Sequence, residues 1–421
     1  MLLRLRPASF GVLLCLVLCG QLATRRSFAA DAVTFDEALA VAPSAPGARA
    51  AARALTARRA GDEDIGGTAG PLTLTVNPGY RFTPDTERGL EGQVAVAQGW
   101  NLADLTGARR RAAAAERRVL SAEVRAAALS SRLGAARRWV DLRALEELLI
   151  LAEQQLELAE RSEQFMARAA EEGIRTAMDA AQARAYRAEI ERARFELSTS
   201  LYRAGVELAV AMGRTSPAPL RTTGASPRPA LPELTSLDAY VTRVHQLPEA
   251  AALRLSATAA RAREAEESAA YGSLLSAGVQ LQREPPAAYT ALGIFSLALA
   301  PFDRGQRQRS LARADAESLE ARAAQAQLEA RASLSQTLHD LRAARERRER
   351  IGRDWLVAAE ELTIRLERAV AVGEATVYEL LEARRRQIEV QQLLVRAGAD
   401  VLWAEIRLWL MIAELERAQE P

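Results

Sequence analysis

The sequence has no lysine, only two cysteines and only two histidines among its 421 residues. Cys15 and Cys19 both lie near the N-terminus, so the rest of the chain can form no disulfide and offers no thiolate. His245 and His339 stand alone. The chain contains no zinc-ligand spacing, phosphate-binding loop, dinucleotide-binding glycine motif or nucleophile motif. An enzyme is therefore the least expected class of protein, and we predict no catalytic residue, no cofactor and no metal site.

An excess of one charge is also lacking. Lysine plus arginine total 56 and aspartate plus glutamate total 54, whereas a nucleic-acid-binding surface needs a basic excess. The arginine-rich run Arg342–Asp354 contains interspersed glutamates, which is typical of a solvated helix face. We therefore predict that the protein has no nucleic-acid partner.

The N-terminus has the pattern of an export signal. Arginines precede an apolar stretch, Phe10–Leu18, that is too short to span a bilayer. Small residues at Ser27–Ala29 offer a cleavage site, so we predict a signal peptide over residues 1–29. Leu16–Gly20 resembles a lipoprotein box, and lipidation of Cys19 is the open alternative.

The sequence contains an internal repeat. Gly107 and Gly305 each precede a long alanine-rich helical pattern, and Gly173 and Gly373 each end one, at nearly equal separations. Each copy has a helical lead, two strands, a long helix and a returning helix. Between the copies lies a proline-rich stretch that forbids a regular helix. The predicted boundaries are a first repeat over 31–213 (strands about 72–98, long helices about 107–212), a linker over 214–232, and a second repeat over 233–417 (strands about 274–300, long helices about 305–417).

The strand candidates alternate in polarity. We predict strands over Leu72–Phe82 and Leu90–Gln98 in the first copy, and over Leu274–Gln282 and Ala288–Ala300 in the second. Alternation with a period of two puts apolar side chains on one face and small or polar ones on the other. Strands of about 9–11 residues fit a bilayer when tilted.

Four strands cannot close a barrel, and open sheet edges are not tolerated in lipid. Three copies would supply twelve strands, which is within the range of membrane barrels. The long helical patterns contain no proline. Apolar residues recur every seven positions at Leu381, Ile388, Val395, Leu402 and Trp409, which is typical of coiled-coil packing. We predict a mostly helical fold with a small membrane β part.

Two short patterns resemble those of a known family. The residues at the second strand-to-helix junction resemble the pattern P-[LI]-F-D-x-G-x-R with one residue fewer: Pro301, Phe302, Asp303, Gly305 and Arg307. The turns between the long helices resemble V-G-x-x-T/S followed by an acidic residue. The matching residues are Val372, Gly373, Thr376 and Glu379 in the second copy, and Gly173, Thr176 and Asp179 in the first, where Glu172 replaces the valine.

These patterns, in this doubled order, are similar to the TolC-like outer-membrane efflux protein family. The resemblance implies a homotrimeric channel: a twelve-stranded β-barrel in the outer membrane of a Gram-negative bacterium, continued by an α-helical barrel in the periplasm. It implies contact with outer-membrane lipid, a periplasmic adaptor and an inner-membrane pump. The alternative is a periplasmic structural or adaptor coiled-coil protein without a pore.

The resemblance also assigns roles to the turns between the long helices. It implies an adaptor-docking tip formed by Gly173, Thr176, Val372, Gly373 and Thr376. Asp179, Glu379 and Glu382 lie beyond the two glycines. They are candidates for an acidic periplasmic gate, and the alternative is that they belong to a solvated helix face.

Overall fold

The computed structural model describes residues 31–63, 72–82, 89–215, 218–232, 238–272, 274–284, 288–298 and 306–418. The predicted signal peptide, Cys19 and the junction residues Pro301, Phe302, Asp303 and Gly305 lie outside these ranges. Most of the described chain is helical. No helix in these ranges has both the length and the apolar character that crossing a bilayer requires.

The part of the chain predicted as the first repeat contains helices and strands in the following order. Its elements are β1 (Ala32–Val33), α1 (Phe35–Val41), α2 (Pro46–Glu63), β2 (Leu72–Arg81), β3 (Gly89–Asn101), α3 (Leu105–Glu171) and α4 (Ala177–Ala211). The helical lead consists of two helices, separated by the 3₁₀ turn Ala42–Ser44. Pro46 starts the second one, because a proline fits the first position of a helix but not its interior.

The second repeat follows the same order. Its elements are α5 (Asp238–Val241), α6 (Pro248–Ala270), β5 (Leu274–Glu284), β6 (Ala288–Ala298), α7 (Gln306–Arg350), α8 (Leu356–Val372) and α9 (Val377–Arg417). The outgoing helix, expected to be uninterrupted, contains a π-helical turn at Ile351–Trp355 between α7 and α8. A single π turn adds one residue to the helix without ending it.

The long strands form one antiparallel sheet in the order β2-β3-β5-β6. The register is regular: Val76 lies opposite Val94, Val94 opposite Leu281, and Leu281 opposite Ala291. The strand pair of one repeat therefore lies directly beside the strand pair of the other.

The chain divides into two compact units, each built from both repeats. The unit called here the hairpin unit contains 31–42, 134–228 and 344–403, and its core includes Met166, Tyr186, Ile190, Val377 and Leu381. The other, called here the sheet unit, contains the four-stranded sheet, the rest of the helices and a core that includes Val244, Leu334, Leu341, Leu408 and Leu415.

Part of the segment predicted as the linker forms a strand that packs against the hairpin unit. Arg221–Thr222 forms a short strand, β4, that pairs in parallel with β1. Leu220 is buried, and a Cβ on Gly205 would lie 2.6 Å from the carbonyl oxygen of Leu220. Thr222 donates its main-chain N–H to Glu146 at 2.9 Å. These contacts fix the linker against the helices of the hairpin unit.

Candidate functional site

One face of the four-stranded sheet is apolar and exposed. Because the register is unbroken, alternate residues of all four strands share this face. Phe295 is 81% exposed and Val279, on a central strand, is 57% exposed. The exposed large apolar residues of this face are Leu72, Leu74, Val76, Tyr80, Leu90, Val94, Val96, Trp100, Leu275, Val279, Leu281, Tyr289, Phe295 and Leu297. An apolar surface of this extent marks a contact with a partner or a membrane.

The opposite face is mostly polar, with few charges in its middle rows. Asn77, Gln93, Gln282 and Thr290 form one row across the sheet. The neighbouring row contains Thr75 and Gln280, together with Ala95 and Leu292. The two faces of the sheet therefore differ sharply in polarity, with apolar residues on one and polar residues on the other.

Aromatic side chains lie at both ends of the apolar face. Tyr80 and Phe82 lie near the hairpin end with their ring centroids 5.7 Å apart, and the Arg283 guanidinium lies 6.0 Å from the ring centroid of Tyr289. Trp100 lies at the end nearest the helices. Aromatic residues at both ends of an apolar band are typical of the two membrane–water interfaces.

The sheet has two open edges. Among the described residues, β2 pairs only with β3, and β6 pairs only with β5. The two edge strands run antiparallel to each other, because each step across the sheet reverses direction. The main-chain groups on these edges therefore need partners that the described part of one chain does not supply.

The first strand-to-helix junction is held by short side chains. Asn101 Oδ1 accepts a hydrogen bond from the Ala103 N–H at 2.8 Å, and Asp104 Oδ1 accepts one from the Gly107 N–H at 3.1 Å. Asp104 has a φ of 53°, a left-handed conformation that aspartate tolerates better than most residues. At the second junction only Arg307 lies in the described residues, exposed in the first turn of α7.

The two turns predicted as tips have the same geometry. Gly173 has a φ of 73° and Gly373 a φ of 84°, the left-handed region that glycine adopts without steric cost. In each turn the next residue donates its N–H back to the ending helix: Ile174 to Ala169 O, and Glu374 to Ala369 O, both at 2.8 Å. Both turns thus end their helices in the way the sequence predicted.

The carboxylates of Asp179 and Glu379 cap the returning helices. Thr376 donates its N–H and its hydroxyl to Glu379 Oε2 at 2.7 and 2.8 Å, and its hydroxyl oxygen accepts from the Glu379 N–H at 3.2 Å. Thr176 and Asp179 make the same reciprocal set in the first repeat. This capping role was missed, although T-A-M-D and T-V-Y-E carry its sequence signature.

The cap changes the acidity of one of these groups. The main-chain and side-chain hydrogen bonds from Thr376 hold the pKa of the Glu379 carboxyl below its ordinary value. Glu382, the third predicted gate residue, is partly exposed on α9 and lies 3.7 Å from Arg385. The capping hydrogen bonds at the start of α9 join Thr376 and Glu379 and do not include Glu382.

Ion pairs join the helices near both turns. Arg184 pairs with Glu163 at 3.3 Å in the first repeat, and Arg384 pairs with Glu367 at 3.1 Å in the second. Between the repeats, Arg385 pairs with Glu189 at 3.1 Å. Tyr186 lies in the core of the hairpin unit. Burial raises the pKa of its hydroxyl to about 12, so this group is neutral at physiological pH.

Large apolar side chains are exposed around both turns: Ile174, Met178, Val372 and Tyr378. Met178 and Tyr378 occupy the same position, two residues past the capping threonine. Val372 was predicted as a tip residue, whereas Met178 and Tyr378 were not, because their exposure depends on how the core forms. Among the described residues no group of three potential metal-binding side chains occurs.

Solved outer-membrane channels share this fold. The outer-membrane channel OprN matches with a TM-score of 0.75 and 18% identity, over 90% of this chain and 89% of that chain. VceC from Vibrio cholerae matches with 0.71 and 17%, over 90% and 95%. The CmeC channel of Campylobacter jejuni matches with 0.74 and 11%, over 92% and 87%. No family model matches the chain, and no curated protein matches its sequence.

At these identities the comparisons establish the fold. The chain has the fold of TolC-like outer-membrane channels, and the predicted mostly helical fold with a small β part is confirmed. These structural neighbours are channel proteins and not enzymes.

Proposed function

We propose that the chain is the outer-membrane channel of a tripartite efflux or type I secretion system. It conducts substrates passively from a periplasmic adaptor and an inner-membrane pump to the outside, and does no chemistry of its own. One observation carries the proposal: an exposed apolar sheet face whose two edge strands have no outer neighbour among the described residues. The shared fold with outer-membrane channels supports it.

A homotrimer would supply hydrogen-bonding partners for the main-chain groups on the two edge strands. If β6 of one copy pairs with β2 of the next, the antiparallel order continues around a ring, and three copies give a twelve-stranded barrel. The apolar face then contacts outer-membrane lipid and the polar face lines the pore. In this proposal residues 1–29 direct export, and the helices form an α-helical barrel in the periplasm.

The two glycine turns are the proposed contact with the adaptor. Exposed apolar residues beside a turn offer area for a protein partner, which supports the assignment. Replacing Gly373 with glutamate forces a side chain into a left-handed residue and adds charge at the contact. We expect adaptor cross-linking and efflux to fall while the trimer persists. Cross-linking and efflux equal to those of the parent would contradict the docking role.

Asp179, Glu379 and Glu382 remain the proposed periplasmic gate. Threefold symmetry would bring several copies of each carboxylate around one axis, and such rings attract cations. The same side chain that caps the start of a helix can also contribute to the proposed ring.

Two arginine substitutions on adjacent residues test whether the sheet lies in a membrane. Val279 lies on the apolar face and Gln280 on the polar face at the centre of β5. An arginine facing lipid at the bilayer midplane costs about 2–4 kcal/mol, whereas one in a water-filled lumen costs little. We expect Val279→Arg to abolish assembled trimer in outer-membrane fractions and Gln280→Arg to retain it.

Planar-bilayer recording of the purified parent completes the test. We expect the protein to need detergent for extraction, to run as a trimer and to conduct ions. Extraction without detergent, together with equal tolerance of both arginine variants, would favour the periplasmic coiled-coil alternative and refute the channel.

A further inference from the structure

We propose that arginines at the start of the two outgoing helices of the sheet unit bind anionic phospholipid headgroups in the leaflet nearest those helices. This set, called here the arginine collar, consists of Arg109, Arg110, Arg111, Arg307 and Arg309. The proposal rests on the proposed function, because it requires the sheet to lie in a bilayer.

The last apolar row of the sheet marks the proposed membrane boundary on the side of the helices. Trp100, Leu275 and Leu297 form the last apolar row before the helices, since Trp100 lies opposite Leu275 and Leu275 opposite Leu297. All three side chains are exposed. Tryptophan favours the depth at which lipid chains meet headgroups. The strands end one row later, at Asn101 and Ala298.

The collar lies in the first turns of the helices that follow β3 and β6 along the chain. Helix α3 starts at Leu105 and α7 at Gln306. At about 1.5 Å per residue, Arg111 lies about 9 Å and Arg309 about 5 Å along its helix. The headgroup region is about 5–8 Å deep on each side of the hydrocarbon. The collar therefore lies at the depth of the headgroups and their surface.

The collar has more positive charge than its neighbours neutralise. Among the described residues, the carboxylates at the first junction and at the end of α6 are Asp104, Glu266 and Glu267. Arg111 pairs with Asp104 at 3.5 Å, and Arg109 pairs with Glu266 at 3.4 Å. Within the part of the chain that the structure describes, five arginines thus accompany three carboxylates, and a trimer would repeat the excess three times.

Two members of the collar are available to a ligand. Arg309 donates to the carbonyl oxygen of Ser268 at 3.3 Å, so it is held by the protein. Arg110 and Arg307 are exposed, and neither guanidinium makes a hydrogen bond or ion pair with another described residue. An exposed guanidinium forms paired hydrogen bonds to a phosphate, which a lipid headgroup at this depth would supply.

Successive helical residues are about 100° apart, so Arg109, Arg110 and Arg111 together cover about 200° of α3. Arg109 and Arg111 are held by ion pairs, so Arg110 is the member of the three whose guanidinium is open to a ligand. Continuity between the collar and the apolar sheet face favours a lipid headgroup over a soluble anion.

The chain offers a matched control on the same helices. The test variant is Arg110→Gln with Arg307→Gln. The control is Arg125→Gln with Arg322→Gln, two exposed arginines about 22 Å further along α3 and α7, well outside the headgroup layer. Both variants remove the same charge from the same helices by the same chemical change.

The measurement is the preference for spin-labelled dioleoylphosphatidylglycerol over spin-labelled dioleoylphosphatidylcholine. It is made on the full chain reconstituted into phosphatidylcholine vesicles. We expect the parent to prefer phosphatidylglycerol at low salt and to lose the preference in molar sodium chloride. We expect Arg110→Gln with Arg307→Gln to lower the association constant of a headgroup touching either arginine by about fivefold. The control should keep the parent value.

A parent without preference, or an equal loss in both variants, would overturn the collar while leaving the channel intact. If the parent immobilises no lipid of either kind, the sheet is not in the bilayer and the channel proposal fails as well. Retained preference in the test variant would show that these two arginines do not bind the headgroups.

Discussion

Arg175 donates a hydrogen bond from Nη2 to the main-chain carbonyl oxygen of Val370 at 2.8 Å. It joins the turn of the first repeat to the last turn of α8 in the second. The same carbonyl also accepts the Gly373 N–H at 3.3 Å, so Arg175 adds a second, charged donor to a group in the last turn of α8. The two glycine turns are thus coupled within one hairpin unit.

Replacing Arg175 with alanine should loosen the second turn while leaving the assembly intact. A hydrogen bond from a charged donor contributes about 1.5–3 kcal/mol, so amides of residues 370–376 should exchange with solvent roughly tenfold faster or more. Hydrogen exchange with mass spectrometry measures this directly. Arg168→Ala, an exposed arginine in the last turns of α3, is the control. Equal exchange in both variants would show that the bond does not couple the turns.

Alanine at either turn glycine should destabilise the hairpin unit. Gly173 and Gly373 have positive φ, where an L-residue costs about 1–2 kcal/mol. Gly134 is the control, because it lies inside α3 with open space around it. Alanine there should stabilise the helix by about 0.5–1 kcal/mol. Thermal unfolding of the three variants in detergent gives the comparison, and a stabilising Gly373→Ala would refute the strain argument.

Local sequence patterns predicted the strands and the turns, because both depend on residues that are close together in the chain. The period-two alternation at Leu72–Phe82 and Ala288–Ala300 located the strands, since one side of each had to be apolar. The glycines at 173 and 373 located the turns. The π turn at Ile351–Trp355 and the pairing of β4 with β1 could not be predicted, because each depends on contacts between distant segments.

The helix-capping role of Asp179 and Glu379 was not predicted from the sequence. Asp179 and Glu379 were selected for their charge, and the threonine three residues before each was assigned to a separate role. Reading the pair as a capping box would have located the first turn of each returning helix. Exposure of Met178 and Tyr378 could not be predicted, because it depends on which side of each helix joins the core.

The start of α9 should lose stability in acid. The hydrogen bonds from Thr376 lower the pKa of Glu379 in the folded chain below its ordinary value of 4.5. The stabilisation is therefore present above that ordinary value and is lost as pH falls through the lowered one. Amide protection factors over residues 374–384 should be constant near neutral pH and fall in acid. In Glu379→Gln this acid-dependent component should be absent, and its persistence would assign it to another group.

The folded part of the linker should depend on Gly205. A Cβ there would lie 2.6 Å from the carbonyl oxygen and 2.9 Å from the nitrogen of Leu220, both main-chain atoms that cannot swing aside. We expect Gly205→Ala to cost about 1–3 kcal/mol and to speed tryptic cleavage after Arg221. Val210→Ala, at an exposed position of the same helix, is the control. Cleavage at the parental rate would mean that the linker is not held by this contact.

The capping and gating roles of the two carboxylates can be separated by what each substitution retains. Asp179→Asn with Glu379→Gln removes both charges, but the amide oxygen can still accept from the threonine N–H. Thr176→Ala with Thr376→Ala keeps both charges and removes the hydroxyl caps, at about 1 kcal/mol for each helix start.

If the carboxylates form a cation-attracting ring, the neutral pair should show reduced cation preference and weaker block by divalent ions in bilayer recordings. The threonine pair should keep both properties while its first helical turns exchange faster. Loss of cation preference in both pairs would mean that helix geometry controls the pore. Unchanged preference in the neutral pair would leave Asp179 and Glu379 with a capping role alone.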